Sequence, residues 1–182
     1  MKIKILSIAL LVLVSCNSKD KSKAIDIEAV VATNDSIAES DSDFYLEVYD
    51  YNGLQKFLNK KNDTVYVVNF WATWCAPCVK EMPYFEKLQS EYSNKGVEVL
   101  FVSLDFPHLY ETKLKPFVID KKIKSKVIAL DDVDMNTWIP KVDENWSGSI
   151  PATVIYKNDN RKFFEQSFTY DLLEKEVKQF LE

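Results

Sequence analysis

The sequence predicts an α/β fold in which helices flank a central mixed β-sheet. Val65–Trp71 and residues 97–104 are runs of apolar, β-branched and aromatic residues, a composition typical of strands buried on both faces. Between them, residues 78–94 carry apolar side chains at helical spacing. The chain then closes with a hairpin pattern and an amphipathic helix, so alternating strands and helices end in an antiparallel pair.

The first half of the predicted domain begins near residue 44. Residues 44–49 alternate enough to predict an edge strand. Residues 52–61 predict a short helix, because apolar side chains recur there at helical spacing: Leu54, Phe57 and Leu58. In the helix at residues 78–94, Pro83 predicts a kink and Gly96 predicts the end.

The second half is less regular, because prolines interrupt its helical patterns. Pro116 weakens one of them, and Pro140 breaks another. The predicted elements are a helix at 109–119, a short strand at 126–130, a helical or irregular stretch at 133–146, hairpin strands at 152–156 and 162–168, and a closing helix at 170–181.

Composition excludes several function classes. The chain has 182 residues, with 23 Lys and Arg against 28 Asp and Glu, and this acidic balance argues against non-specific nucleic-acid binding. Its three scattered glycines do not form a phosphate-binding loop. His108 is the single histidine, which excludes most multi-histidine metal sites; we expect it in a loop without a catalytic role.

The N-terminus is typical of an export signal. Lys2 and Lys4 precede a largely apolar run at residues 5–14, which is too short to span a bilayer as a helix. The run ends in Leu-Val-Ser-Cys at residues 13–16, which resembles the lipobox of bacterial lipoproteins. This resemblance implies cleavage before Cys16 and a lipid on that residue; the alternatives are a plain signal peptide or a short anchor with an incidental cysteine.

The interpretation of the N-terminus as an export signal divides the chain into three parts. Residues 1–15 are predicted to be a signal peptide, residues 16–43 a polar tether, and residues 44–182 the folded domain. The tether has one alternative, a small packed extension that adds a strand. The predicted location is extracytoplasmic and disulfide-permissive, on a bacterial membrane facing the periplasm.

Candidate chemistry lies at Cys75 and Cys78. The pair follows a predicted buried strand and opens a predicted helix, and its two-residue spacing allows a disulfide. The helix N-terminus stabilises a thiolate at Cys75, the sulfur expected nearer solvent, while Cys78 lies one turn inside with a higher expected pKa. Cys75 would attack a substrate disulfide, and Cys78 would resolve the mixed disulfide. A zinc site lacks enough ligands, which leaves an inert disulfide as the structural alternative.

The motif also carries a resemblance. Phe-Trp-Ala-Thr-Trp-Cys-Ala-Pro-Cys at residues 70–78, followed by Lys-Glu-Met-Pro at residues 80–83, resembles the thioredoxin superfamily. Within it, the chain is similar to the TlpA/ResA branch of membrane-tethered, extracytoplasmic thiol–disulfide oxidoreductases, roughly from residue 44 to the end. The resemblance implies a thioredoxin fold with an N-terminal edge-strand extension, and no cofactor besides the redox-active cysteine pair.

A second family landmark lies at residues 148–153. Pro151 matches a cis-proline that faces the dithiol in this family, and the resemblance implies that the backbone of Ile150 pairs with substrate beside Cys75. Trp74 and Pro77 are assigned to the same substrate-binding surface. Other aromatic residues are expected to pack in the core: Trp71, Trp138, Trp146, Phe163 and Phe164.

Two positions distinguish this chain from cytosolic thioredoxin. Asn69 stands where thioredoxin has a buried aspartate. Glu81 lies one helical turn after Cys78, and in this branch a glutamate at that position tunes the dithiol. We expect Glu81 to help deprotonate Cys78; the alternative is a solvated helix glutamate paired with a lysine.

The expected function is reduction of protein disulfides. Ala76 and Pro77 supply no cation that would stabilise the thiolate of a strong oxidant. Electrons would come from a thiol-reducing membrane donor, and the family implies apocytochrome reduction before haem attachment, or repair of oxidised proteins. The alternatives are a disulfide oxidase or isomerase, a thiol peroxidase, and a non-enzymatic copper-binding module.

Overall fold

The computed structural model describes residues 44–182. The predicted signal peptide at 1–15, the lipidation site at Cys16 and the tether at 16–43 lie outside the described residues. None of the helices in the described range is both long and apolar enough to span a bilayer.

Residues 44–182 form six strands and five α-helices. In chain order they are β1 (Glu47–Tyr49), α1 (Tyr51–Leu58), β2 (Val65–Trp71), α2 (Ala76–Tyr92), β3 (Val97–Ser103), α3 (Lys115–Asp120), β4 (Lys126–Leu130), α4 (Met135–Val142), β5 (Ala152–Lys157), β6 (Asn160–Phe164) and α5 (Tyr170–Lys178). Short 3₁₀ and π turns connect some of them, including Pro107–Leu109 and Tyr110–Leu114.

The strands form one mixed sheet in the order β1-β4-β3-β2-β5-β6. The first four run parallel to one another, and β5 and β6 are antiparallel to their neighbours, which confirms the predicted mixed sheet with a closing hairpin. β2 lies inside the sheet with all seven residues buried, which explains its uninterrupted apolar composition. Its register with β3 runs from Val65 opposite Val97 to Trp71 opposite Ser103.

Helices cover both faces of the sheet, so there are two cores. Side chains alternate along β2, and Trp71 therefore packs with α2 and α5 on one face, while Phe70 packs on the other. Trp146 is central to this second core, with ring centroids 4.8 Å from Phe70 and 5.5 Å from Trp138. The expectation that Trp71, Trp138 and Trp146 are core residues is confirmed.

Several predicted boundaries were wrong by a few residues. β1 begins at Glu47 rather than at residue 44. Pro140 does not break α4, which contains it and ends two residues later. β6 ends at Phe164 instead of residue 168, because Phe168 turns inward against Phe85 of α2, with ring centroids 6.2 Å apart.

Candidate active site

Cys75 and Cys78 lie at the start of α2 and form a disulfide, with Cα atoms 5.3 Å apart. The helix begins at Ala76 rather than at Cys78 as predicted, because Cys75 is its N-cap. The backbone N–H of Cys78 donates to the Cys75 sulfur at 3.3 Å. Pro77 fits the first turn, where its missing N–H costs no helical hydrogen bond. The helix start therefore directs a donor at Cys75, which favours a thiolate there when the pair is reduced.

The two sulfurs differ in their access to solvent. Cys75 is 5% exposed and Cys78 is 1% exposed, so Cys75 is the more accessible cysteine. Trp74 is 56% exposed beside it, and Pro77 is also on the surface. A bulky disulfide can therefore approach Cys75 more readily than Cys78.

The loop before β5 brings backbone atoms to Cys75. The Ile150–Pro151 peptide bond is cis, as the resemblance implies. The Ile150 carbonyl oxygen lies 3.7 Å from the Cys75 sulfur. The loop is held by the Trp146 indole, which donates to the Ser149 carbonyl at 2.8 Å, and by Glu165, which accepts from two backbone N–H groups of residues 147–149. Ile150 is thus fixed beside the reactive sulfur.

Glu81 lies on α2, one turn after Cys78, and its side chain is buried rather than solvated. It is 2% exposed, so the alternative of a solvated glutamate paired with a lysine is wrong. Its carboxylate accepts from the Asn69 side-chain amide at 3.1 Å and from the Phe168 backbone N–H at 2.6 Å. Burial raises the pKa of Glu81 to about 7, although these two hydrogen bonds oppose the shift. A carboxyl group with that pKa exchanges protons near neutral pH.

Asp105, which was not predicted as a site residue, holds the loop before Cys75 in place. This buried carboxylate accepts from the Thr73 backbone N–H at 3.0 Å, from the Thr73 hydroxyl at 2.5 Å and from the Ser103 hydroxyl at 2.8 Å. Trp71 and Ser103 are paired at the ends of β2 and β3. Thr73 and Asp105, each two residues further on, therefore lie close together. An aspartate directly after a buried strand was the signal that could have found it.

Some features lie outside this arrangement. His108 is exposed and stacks on Phe106, with ring centroids 5.8 Å apart, which agrees with its expected loop position. Across residues 44–182, no group of three or more His, Cys, Asp or Glu side chains is arranged to hold a metal ion.

Residues 39–161 match the model of the AhpC/TSA family. The chain is 35% identical over 117 residues to the thiol-disulfide oxidoreductase ResA of Oceanobacillus iheyensis, covering 59% of this chain and 53% of that protein. It is 43% identical over 65 residues to ResA of Bacillus cereus, covering 31% of this chain and 37% of that protein. The chain therefore spans about half or less of the length of these curated relatives.

Solved structures share the fold at lower identity. A secreted thiol-disulfide isomerase of Corynebacterium glutamicum is 21% identical with a TM-score of 0.56, covering 70% of this chain and 74% of that one. A thioredoxin family protein of Chlorobium tepidum is 17% identical with a TM-score of 0.53, covering 71% and 85%. These likenesses confirm the predicted thioredoxin fold.

Proposed function

The chain belongs to the AhpC/TSA family, and on that premise we propose that it is a thiol–disulfide oxidoreductase that acts through Cys75 and Cys78. One observation carries this proposal: Cys75 caps α2, is bonded to Cys78 in its first turn, and has its sulfur 3.7 Å from the Ile150 carbonyl oxygen. The disulfide, the N-terminus of α2 and the backbone of Ile150 therefore meet at one point. The ResA relatives, whose names describe the same chemistry, support the proposal.

The reaction consists of two exchanges. The Cys75 thiolate attacks one sulfur of a substrate disulfide, and the other substrate sulfur leaves as a thiolate. Cys78, as a thiolate, then attacks the Cys75 sulfur and expels the second substrate sulfur. Two electrons pass from the dithiol to the substrate, and the protein ends with the Cys75–Cys78 disulfide.

Glu81 acts as the proton acceptor for Cys78 in the second exchange. It lies one helical turn after Cys78 on α2 and is held by Asn69 and Phe168. Its pKa of about 7 places its proton exchange in the range where a general base works at neutral pH. Burial of Cys78 disfavours its thiolate, which is why a local base helps this step.

The cellular setting follows from the N-terminal sequence. A lipid on Cys16 would hold the protein on a bacterial membrane, facing the periplasm, with residues 16–43 as a tether. The dithiol would be regenerated by a thiol-reducing membrane donor, because Ala76 and Pro77 provide no cation that would favour an oxidant. Substrates in this setting are disulfides between apocytochrome cysteines, or disulfides in oxidatively damaged proteins.

The proposal is tested by turnover of a protein disulfide. Full-length protein reduced with dithiothreitol and freed of it is mixed with insulin, and new insulin thiols are counted. We expect two thiols per protein molecule, and none from Cys75→Ser. A wild-type protein whose dithiol leaves insulin intact would contradict the proposed function. A parallel sample with hydrogen peroxide tests the thiol peroxidase alternative, for which we expect no rapid oxidation.

A further inference from the structure

An apolar groove with an acidic rim adjoins the cysteine pair. It has a volume of about 360 Å³ and lies where β2, β3 and β4 end and β5 begins. Trp74 and Ile150 belong to its lining, and both also border Cys75. The groove therefore opens beside the sulfur that the proposed function assigns to attack.

Four large apolar side chains of the lining are exposed. Val133 is 96% exposed, Phe106 is 58% exposed and Met135 is 50% exposed, and Trp74 completes the patch. Large side chains exposed together in one place mark a surface that binds a partner. They offer contact for an apolar side chain of a bound segment.

The charged residues at the rim of the groove are all acidic. Asp131 and Asp132 line the groove beside Val133, and Asp134 follows in sequence. Asp132 accepts from the backbone N–H groups of Tyr51 and Asp134, whereas Asp131 is exposed. No Lys or Arg is among the groove-lining residues of the described chain. Complementarity therefore favours a positively charged partner.

We propose that this groove binds the segment flanking a substrate disulfide, and that it selects segments with an apolar side chain next to Lys or Arg. The inference rests on the proposed function and adds a substrate class to it. A substrate strand that pairs with the Ile150 backbone presents its cysteine to Cys75, and its neighbours extend over Trp74 and Val133. The Cys75–Cys78 dithiol supplies both electrons for the exchange.

The test uses four peptides that differ only in their flanks. Each carries one cysteine in a mixed disulfide with 2-mercaptoethanol, flanked by Leu and Lys, Leu and Glu, Ser and Lys, or Ser and Glu. Full-length reduced protein is mixed with each peptide, and second-order rate constants are measured by tryptophan fluorescence. We expect the Leu–Lys peptide to react at least about tenfold faster than the Ser–Glu peptide at low salt. The charge preference should shrink at 0.5 M salt while the apolar preference remains.

Matched variants test whether groove residues cause these peptide preferences. Asp131→Asn should lower the Lys-over-Glu rate ratio about threefold, the size of a rim ion pair, whereas Asp120→Asn on α3 removes the same charge elsewhere and should leave the ratio unchanged. Val133→Ser should lower the Leu-over-Ser ratio, and Ile119→Ser, also exposed and on α3, should not.

The outcomes separate this inference from the proposed function. Equal rates for all four peptides would contradict the proposed selectivity of the groove. Rate ratios that Asp131→Asn and Val133→Ser leave unchanged would contradict it as well. Neither result would affect the proposed disulfide chemistry. Failure to reduce any peptide, or bis(2-hydroxyethyl) disulfide, would contradict the chemistry and the groove together. A dimer in sedimentation that Val133→Ser converts to monomer would assign the groove to a second copy, and would also overturn the proposal.

Discussion

The Asn69 side-chain amide donates to the Glu81 carboxylate at 3.1 Å and to the Thr153 hydroxyl at 3.1 Å. Both of its N–H groups are thereby used, and Asn69 links β2, α2 and β5 under the cysteine pair. Because the amide is neutral, Glu81 faces no second negative charge from this position. An aspartate at residue 69 would repel the carboxylate and raise the pKa of Glu81 above its present value of about 7.

Glu81→Gln should slow resolution of the mixed disulfide. Glutamine keeps the shape of the side chain but accepts no proton, so the proposed general base is lost. We expect the rate of resolution to fall about 100-fold at pH 7.5. In wild-type protein the rate should also rise with pH through an inflection near 7, and this inflection should vanish in the variant.

Rapid mixing of the reduced protein with a peptide disulfide measures this step after Cys75 has reacted. Glu111→Gln is the matched control, because Glu111 is exposed and pairs with Lys115 at 2.6 Å away from the cysteines. An unchanged pH profile in Glu81→Gln would contradict the assigned role.

Glu81 also makes the stability of the protein depend on pH. The folded state holds its proton up to about pH 7, whereas an unfolded glutamate loses it near 4.5. Stability from this group is therefore fully present below pH 4.5 and is lost as pH rises through 7, by about 3 kcal/mol at most. Urea unfolding at pH 5 and pH 8 should show this loss in wild-type protein and a smaller loss in Glu81→Gln. An equal loss in both proteins would show that Glu81 titrates normally.

Asp105→Asn should loosen the loop that presents Cys75. The carboxylate accepts three hydrogen bonds from Thr73 and Ser103, and an amide satisfies fewer of these donors. We expect a loss of about 1–3 kcal/mol in the free energy of unfolding and a slower attack on bis(2-hydroxyethyl) disulfide. Thr73→Val, which removes only the hydroxyl donor, should cost less, and Asp120→Asn should cost little. Wild-type stability and rate in Asp105→Asn would contradict this role.

Cys78→Ser should trap the first intermediate. Cys75 still attacks a substrate disulfide, but no second thiol is left to release the product. Mass spectrometry after mixing with a peptide disulfide should find the peptide attached at Cys75, and peptide mapping separates this adduct from any at Cys16. Cys75→Ser should form far less adduct, because Cys78 is only 1% exposed. Equal trapping at both positions would remove the proposed asymmetry.

The fold was predictable because local patterns and topology agree in this chain. The buried strands β2 and β3 were visible as apolar runs, and the cysteine pair follows a strand and opens a helix as predicted. Strand ends were less predictable, since burial of Phe168 and its N–H contact to Glu81 end β6 early. The hydrophobic periodicity of the sequence does not reveal such a contact between distant residues.

The site was predictable only in part, for a similar reason. The motif identified Cys75 and Cys78, but the environment of Glu81 depends on partners 12 and 87 residues away in sequence, Asn69 and Phe168. The position of Asp105 after a buried strand was visible in the sequence, but its partner Thr73 follows only from the β2–β3 register. Contacts between distant segments decide these environments, whereas spacing within one segment decides the position of the disulfide.

The reduction potential of the Cys75–Cys78 pair in the full-length protein decides whether its dithiol can reduce protein disulfides. Titration in glutathione and dithiothreitol buffers, followed by tryptophan fluorescence and thiol trapping, gives the value. We predict a potential below roughly −230 mV, where the dithiol donates electrons to protein disulfides. A value above roughly −180 mV would contradict this and make the protein a disulfide oxidase or isomerase.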